Sequence, residues 1–186
     1  CTAVLGAPSL RADPLGLPIG LQLYSVREFL PKDYDGTLAQ LAAMGYQEVE
    51  AAGFFGHSAA DVKAAMHRAG LRCVSAHYSM ADLQPKLDEL IQYAHQLGLS
   101  FLVCSSPQLR HPAPGRSWLA SMEAMSLNDW RWNADQLNQI GKRVHAAGLQ
   151  FAYHNHCCEF HNHKGVVPYD ELLRHTDPSL VAMEMD

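Results

Sequence analysis

The sequence predicts an α/β fold of alternating strands and helices, and it favours a (β/α)₈ barrel over a doubly wound sheet. The first observation is a repeated unit of amphipathic helix, glycine and short apolar strand, found in LAAMGYQEVE, MHRAGLRCVSAH, AHQLGLSFLVC and HAAGLQFAYH. Strict alternation of this kind predicts parallel strands joined by helical crossovers. The second observation is that polar residues recur where the predicted strands end, which is typical of a barrel's active site.

The helices and strands follow from local patterns. Glycines 45, 70, 98 and 148 stand at the helix ends of the repeated unit, where a left-handed conformation disfavours other residues. Two helices begin with a Ser-x-x-Asp capping box, one at Ser58 and Asp61 and the other at Ser126 and Asp129. Apolar residues at helical spacing predict helices near 35–44, 58–69, 82–97, 127–147 and 168–175. The predicted strands cover about 19–24, 46–50, 72–77, 100–104, 149–154 and 180–186.

The start of the chain distinguishes the two candidate α/β folds. A dinucleotide-binding doubly wound sheet opens with a glycine-rich turn after its first strand, whereas the segment here is LYSVREFLPKD. The polar residues at the predicted strand ends are Gln22, Tyr24, Glu50, His77, His154, His156, Glu184 and Asp186. A barrel is therefore favoured for residues 18–186. Because a full barrel has eight strands, the six predicted strands indicate a barrel that is incomplete at its C-terminus or completed by a partner.

Composition limits the classes of function. Of 186 residues, 48% are hydrophobic and 18% are charged, which is ordinary for a globular protein. There is no run of eighteen apolar residues, so we expect no membrane partner. The net charge of −5, without a Lys/Arg stripe, argues against a nucleic-acid partner. A small-molecule substrate remains open.

Two segments lie outside the repeated unit. Residues 1–17 are an apolar stretch followed by small residues, and they are interpreted as a leader that is either a signal-peptide remnant or a disordered or clipped end. The first interpretation predicts a periplasmic or otherwise exported protein, and the second a cytoplasmic one. Residues 105–125 are predicted to be a long loop, in which Trp118 either covers a sugar ring or anchors the loop.

The stretch YHNHCCEFHNH, residues 153–163, contains four histidines, two cysteines and one carboxylate. It comes close to a cupin metal motif, but cupins are antiparallel β-barrels. A structural zinc site would normally need a second ligand cluster. The third hypothesis places the stretch at the end of the fifth strand. There, alternation puts His154 and His156 on one face and Tyr153 on the other, while His161 and His163 fall in the following loop.

Five segments together resemble the sugar phosphate isomerase/epimerase family of xylose-isomerase-like TIM barrels. They are GLQLYSVRE, MGYQEVEAAGFFG, GLRCVSAHYS, YHNHCCEF and TDPSLVAMEMD, and the resemblance runs from about residue 18 to residue 186. Its most specific element is the strand-five motif HNH-x-x-EF. The family holds one divalent metal ion through Glu, Asp, His and Glu side chains from strands five to eight.

The resemblance implies a site and a chemistry. Glu159 and Asp186 match the first two metal ligands, for one Mn²⁺, Mg²⁺, Co²⁺ or Zn²⁺ ion, while the other two ligands would follow Asp186. Glu159 would be a catalytic acid or base, and His156 would orient the substrate or assist proton transfer. The remaining residues at the strand ends are expected to bind the substrate: Glu50, His77, His154, Gln22 and Tyr24.

The expected function is a metal-dependent isomerase or epimerase acting on a sugar, sugar phosphate or keto-polyol through an ene-diolate. Two alternatives stay open, namely a keto-sugar dehydratase or lyase and a non-catalytic sugar-binding protein. A related apurinic-site endonuclease is disfavoured by the net charge of −5. The partner is expected to be a small carbohydrate, and homo-oligomerisation stays open. The 186-residue chain alone is expected to be inactive.

Overall fold

A computed structural model describes residues 16–112 and 114–186. The chain divides into two compact units, the first ending at Val74 and the second running from Ser75 to Asp186. Most of the predicted leader lies outside the described residues. Among the residues described, no helix is both long and apolar enough to cross a membrane.

The first unit contains two strands, two helices and the start of a third strand. Strand β1 (Gly20–Gln22) leads into a 3₁₀ turn (Leu23–Val26), helix α1 (Tyr34–Ala43), strand β2 (Glu48–Ala51) and helix α2 (Ala59–Ala69). Strands β1 and β2 are parallel, with Gly20 opposite Glu48 and Gln22 opposite Glu50. The core of this unit is apolar and includes Leu23, Leu30, Leu38, Leu41, Val49, Val62 and Met66.

The second unit holds most of the helices. Strand β3 (Arg72–Ser79) enters it from the first unit, and the elements that follow are α3 (Met80–Leu97), β4 (Phe101–Ser106), α4 (Trp118–Glu123), α5 (Leu127–Ala146), β5 (Gln150–His154), a 3₁₀ turn (Cys157–Phe160), α6 (Pro168–His175) and β6 (Ala182–Glu184). The stripes predicted from sequence are buried here, including Leu83, Leu87, Trp130, Ala134, Leu137 and Val144.

The six strands follow one another in the sheet in chain order, β1-β2-β3-β4-β5-β6. The pairs β1/β2, β3/β4, β4/β5 and β5/β6 are parallel. A doubly wound sheet would reverse its order partway, and this order does not reverse. The fold is therefore that of a parallel (β/α) barrel, represented by six of its strands and the helices between them, as the sequence predicted.

The helix ends confirm the local predictions. Ser58 accepts a hydrogen bond from the Asp61 N–H, and Ser126 and Asp129 form a reciprocal capping box. Gly70 and Gly98 terminate α2 and α3 in the left-handed conformation, with φ values of 72° and 86°. One prediction is wrong, because residues 105–125 are not a continuous loop. Helix α4 forms within them. The Ser117 side chain caps its N-terminus, and the buried Met122 packs it against the core.

Candidate active site

Three side chains from different strands meet within the second unit. His77 lies in β3, His154 is the last residue of β5 and Glu184 is the last residue of β6. The His154 Nδ1 atom is 2.8 Å from Glu184 Oε1, and His77 Nε2 is 3.3 Å from both carboxylate oxygens. Because parallel strands end at the same edge of a sheet, residues far apart in sequence come together here.

The carboxyl group of Glu184 is held as an anion. Partial burial by itself would raise its pKa, but hydrogen bonds and charge from His154 and His77 outweigh burial and lower the pKa to about 2. This group can therefore accept hydrogen bonds from hydroxyl or N–H groups at neutral pH.

His154 also faces a second carboxylate. Its Nε2 atom is 3.6 Å from Asp186 Oδ2. The backbone of Asp186 is held by the buried Asn155, whose Oδ1 accepts from the Asp186 N–H at 3.3 Å and whose Nδ2 donates to the Asp186 carbonyl at 3.4 Å. The two ring nitrogens of His154 thus each face a carboxylate, Nδ1 that of Glu184 and Nε2 that of Asp186.

His156 adds a further imidazole to this group. Its ring centroid is 4.9 Å from that of His154 and 4.8 Å from that of Trp118. Burial and the neighbouring His154 lower the pKa of His156, so its ring is neutral at pH 7. The Nδ1 atom of this ring is buried and has no hydrogen-bond partner among the described residues.

Glu159 lies in the 3₁₀ turn that follows β5, and it is fully buried. The Tyr153 hydroxyl donates to its Oε1 at 2.6 Å, whereas its Oε2 is buried and has no hydrogen-bond partner among the described residues. Burial raises the pKa of Glu159, and the hydrogen bond from Tyr153 offsets only part of that effect. A buried carboxylate oxygen without a partner is costly unless a cation or donor completes it.

Two groups of side chains carry donor atoms of the kinds that divalent ions bind. The unpaired Oε2 of Glu159 and the exposed carboxylate of Asp186 are hard oxygen donors, which suit Mg²⁺ or Mn²⁺. His77, His154 and Glu184 each offer one ligand atom within 4.8 Å of the others. Two imidazoles and one carboxylate are a ligand set of catalytic zinc sites.

The remaining predicted residues have separate placements. Gln22 ends β1 and its side chain accepts from the Tyr24 N–H in the next turn, while Glu50 lies half-buried in β2. All three belong to the first unit, and their roles in substrate binding stay predictions. His161 and His163 follow the 3₁₀ turn in a loop, where His163 makes a small bridge with Val166.

Three features of the site did not follow from the sequence. Glu184 was recognised as a polar strand end but not as a site residue, although its alternation with Asp186 was a usable indication. Tyr153 was expected to point away from the site residues, and the turn after β5 brings Glu159 to it. The contact of Trp118 with His156 depends on helix α4, which the sequence did not predict.

No protein-family profile matches the chain, and no curated protein matches it by sequence. Solved structures do match. Two are sugar phosphate isomerase/epimerases from Parabacteroides distasonis ATCC 8503, with 27% and 25% identity and TM-scores of 0.71 and 0.66. Each match covers 91% of this chain and 68% or 67% of that chain. This chain thus spans about two thirds of their length.

A third similar structure is the probable 3-DHS dehydratase of Bacillus anthracis that is involved in petrobactin synthesis. It has 11% identity and a TM-score of 0.63, and the match covers 91% of this chain and 63% of that one. At this identity the likeness concerns the fold alone. Together these matches confirm the resemblance found in the sequence: the structural neighbours of this chain are sugar phosphate isomerase/epimerases and xylose isomerase-like TIM barrel proteins.

Proposed function

We propose that this protein is a metal-dependent sugar isomerase or epimerase that acts through an ene-diolate intermediate. The observation that carries the proposal is Glu159, which is fully buried and has one oxygen held by Tyr153 and the other without a partner. The two similar Parabacteroides distasonis proteins support a sugar-modifying activity on this scaffold.

In this proposal Glu159 and Asp186 hold the ion. When bound, a divalent ion supplies a Lewis acid that polarises sugar oxygens. The Oε2 atom of Glu159 is oriented by the Tyr153 hydrogen bond at Oε1, and burial raises the pKa of this carboxyl group. The same carboxylate would serve as the base that removes the proton next to a carbonyl, and it would return that proton to another carbon or to the other face.

His77, His154 and Glu184 are proposed to bind the sugar hydroxyls. Their polar atoms are already mutually hydrogen-bonded, so they form a preorganised set of donors and acceptors. His156 is neutral beside them and presents both a donor and an acceptor nitrogen, which suits orientation of a substrate oxygen. Gln22, Tyr24 and Glu50 of the first unit remain proposed substrate-binding residues.

Metal binding by the 186-residue chain tests the ligand assignment. We expect Glu159→Gln to weaken Mn²⁺ binding in calorimetry by about tenfold or more, and Glu184→Gln to leave it within about threefold. Glu89→Gln, on the exposed side of α3, is the control. The reverse pattern would assign the ion to His77, His154 and Glu184 and would contradict our assignment.

Turnover tests the reaction class. The product of the complete gene should convert keto-sugars in the presence of Mn²⁺, with product analysis separating isomers and epimers from dehydrated products. Glu159→Gln should abolish this conversion. A dehydrated product would indicate the keto-sugar dehydratase or lyase alternative, which begins with the same proton abstraction. Binding without conversion by a metal-loaded protein would indicate a sugar-binding protein.

We also propose that the protein is exported, on the basis of the apolar and small residues in positions 1–17. Cell fractionation combined with N-terminal sequencing of the mature protein tests this. A mature N-terminus near Ala12 in the periplasmic fraction is the expected result, and an uncleaved protein in the cytoplasmic fraction would contradict it.

A further inference from the structure

Four rings form a continuous row that begins in the candidate site and ends at the surface. His77 and His154 have centroids 4.6 Å apart, His154 and His156 are 4.9 Å apart, and His156 and Trp118 are 4.8 Å apart. All successive pairs are tilted or edge-on, with interplanar angles of 55°, 80° and 62°. The row therefore connects the hydrogen-bonding group around Glu184 to an aromatic side chain.

Helix α4 holds Trp118 at the end of this row. Trp118 is the first residue of α4, one helical turn before Met122, which is only 2% exposed and seats the helix on the core. Trp118 therefore lies on the inward side of α4 and contacts His156, yet 42% of its surface remains exposed. A side chain that served only as a hydrophobic anchor would be covered, as Met122 is.

Gln108, which precedes α4 in the chain, is also held in place. Asn133, fully buried in α5, donates to the Gln108 carbonyl at 2.8 Å and accepts from the Gln108 N–H at 3.1 Å. The Gln108 side chain donates in turn to Gln84 of α3 at 2.8 Å. These bonds attach Gln108 to two helices, and the buried Met122 packs α4, which presents Trp118, against the core.

The arrangement suits a ligand with one polar edge and one apolar face. Imidazole and carboxylate groups at the inner end of the row can hydrogen-bond hydroxyls, and an exposed indole face can pack against C–H groups. A pyranose ring has both features. The charged groups in contact with His154 are the carboxylates of Glu184 and Asp186, which disfavour a phosphate dianion beside them.

We propose that Trp118 is the platform on which the apolar face of an uncharged pyranose ring stacks, next to His156, and that the carboxylates of Glu184 and Asp186 make the site favour neutral over phosphorylated sugars. This inference deepens the proposed function and rests on it for the location of the site. The buried Nδ1 of His156, which has no partner among the described residues, is a polar atom beside Trp118 that could orient such a ring.

The test is ligand binding by the metal-free 186-residue chain, using methyl β-D-glucopyranoside and glucose 6-phosphate as probes in calorimetric titrations. We expect the neutral glucoside to bind about tenfold more tightly than the phosphate. Trp118→Ala should weaken glucoside binding by about tenfold, whereas Trp118→Phe, which keeps an aromatic face, should stay within about threefold. Leu119→Ala changes the next residue of α4, which is 50% exposed, and should bind as the wild type does.

Equal glucoside affinity in Trp118→Ala and the wild type would overturn the proposal. So would tighter binding of glucose 6-phosphate, or failure of the wild-type chain to bind the glucoside. Circular dichroism of each variant shows whether α4 and its surroundings stay folded, and Trp118→Phe keeps the comparison valid if Trp118→Ala does not. Turnover is a separate measurement. If Trp118 contributes to glucoside binding but the protein converts no sugar, the proposed reaction is wrong and this inference stands. If conversion of the sugar is unaffected by Trp118→Ala, the proposed reaction stands and this inference is wrong.

Discussion

At the scale of single residues, the central feature is a buried carboxyl group beside a buried phenol. Glu159 and Tyr153 are both fully buried, and the hydroxyl of Tyr153 donates to Glu159 at 2.6 Å. Burial, followed by the charge of Glu159, raises the pKa of Tyr153 well above its usual range, so the phenol stays protonated and remains a donor. The hydrogen bond favours the charged form of Glu159, while burial disfavours it.

Replacement of Tyr153 by Phe tests this balance. Because Tyr153→Phe removes a hydrogen bond to the carboxylate, the pKa of Glu159 should rise further above its ordinary value. Metal binding requires the carboxylate form, so Mn²⁺ affinity at pH 7 should fall by about tenfold or more. The pH at which the Mn²⁺ association constant reaches half of its maximum should also rise.

Calorimetric titrations of Mn²⁺ between pH 5 and pH 8 would measure that change. Tyr169→Phe is the matched control, because Tyr169 is buried against Phe160 and donates no described hydrogen bond to Glu159. An unchanged affinity and pH dependence in Tyr153→Phe would show that Tyr153 does not position Glu159.

At the scale of helices and strands, contacts between α5, α6 and the chain before β6 hold the C-terminal part of the second unit. Glu171 of α6, whose side chain is 6% exposed, accepts hydrogen bonds from Arg131 at 2.6 Å and from Arg174 at 3.0 Å. Asn138 of α5 donates to the His175 carbonyl and accepts from the Asp177 N–H. These bonds fix the end of α6 against α5.

The ion pair between Glu171 and Arg131 makes a contribution to the stability of the folded protein that depends on pH. The hydrogen bond from Arg131, opposed by desolvation, lowers the pKa of Glu171 below its ordinary value of 4.5. The stability that it contributes is therefore present above pH 4.5 and is lost as the pH falls through the lowered folded-state value. Glu171→Gln should lower the melting temperature at pH 7, and the difference from wild type should narrow below pH 4.

Thermal unfolding at pH 7, 5 and 3 would measure this dependence. Glu89→Gln removes an exposed carboxylate of α3 and should show no comparable difference at any of these pH values. A gap between Glu171→Gln and wild type that stayed constant with pH would rule out the ionised carboxylate as its cause.

A second prediction at this scale concerns the close approach of helix α5 to the backbone at Leu180. Gly141 lies inside α5, and a Cβ atom there would come within 2.6 Å of the Leu180 carbonyl oxygen. Alanine normally stabilises a helix interior by about 1 kcal/mol relative to glycine. We expect the opposite sign here, with Gly141→Ala lowering the free energy of unfolding by about 1–3 kcal/mol because backbone must move.

Denaturant unfolding would check the sign. Gln139→Ala, at an exposed position of the same helix, should change the free energy of unfolding by less than about 0.5 kcal/mol. Stabilisation by Gly141→Ala would show that the chain before β6 can shift away from α5 without cost.

At the scale of the whole molecule, metal binding should be coupled to folding. An ion that binds the folded chain stabilises it by about 2.7 kcal/mol at a free concentration one hundred times the dissociation constant. For a chain of this size we expect saturating Mn²⁺ to raise the melting temperature by about 5–10 °C, and EDTA to reverse the increase. Glu159→Gln should remove the increase, and a shift of wild-type size in that variant would exclude Glu159 as a ligand.

The order of the elements followed from local physics and was predictable. Apolar stripes at helical spacing located five helices, and the Ser126 and Asp129 pair marked the start of α5 because their side chains satisfy the free N–H groups of that end. The polar side chains at predicted strand ends identified His77, His154 and Glu184 individually. Helix α4 escaped prediction because six residues give too short a pattern, and its position depends on the burial of Met122.

The tertiary structure alone decided which of these side chains contact one another. His77 and Glu184 are 107 positions apart, and the order and register of the sheet bring them to 3.3 Å. Strand alternation directed Tyr153 away from the site residues, and it does not apply beyond His154, where β5 ends. The 3₁₀ turn at Cys157–Phe160 redirects the chain and places Glu159 against Tyr153. The sequence by itself determined the elements and the kinds of side chain at their ends, because those depend on near neighbours, whereas the partner of each side chain depends on backbone geometry that the whole fold sets.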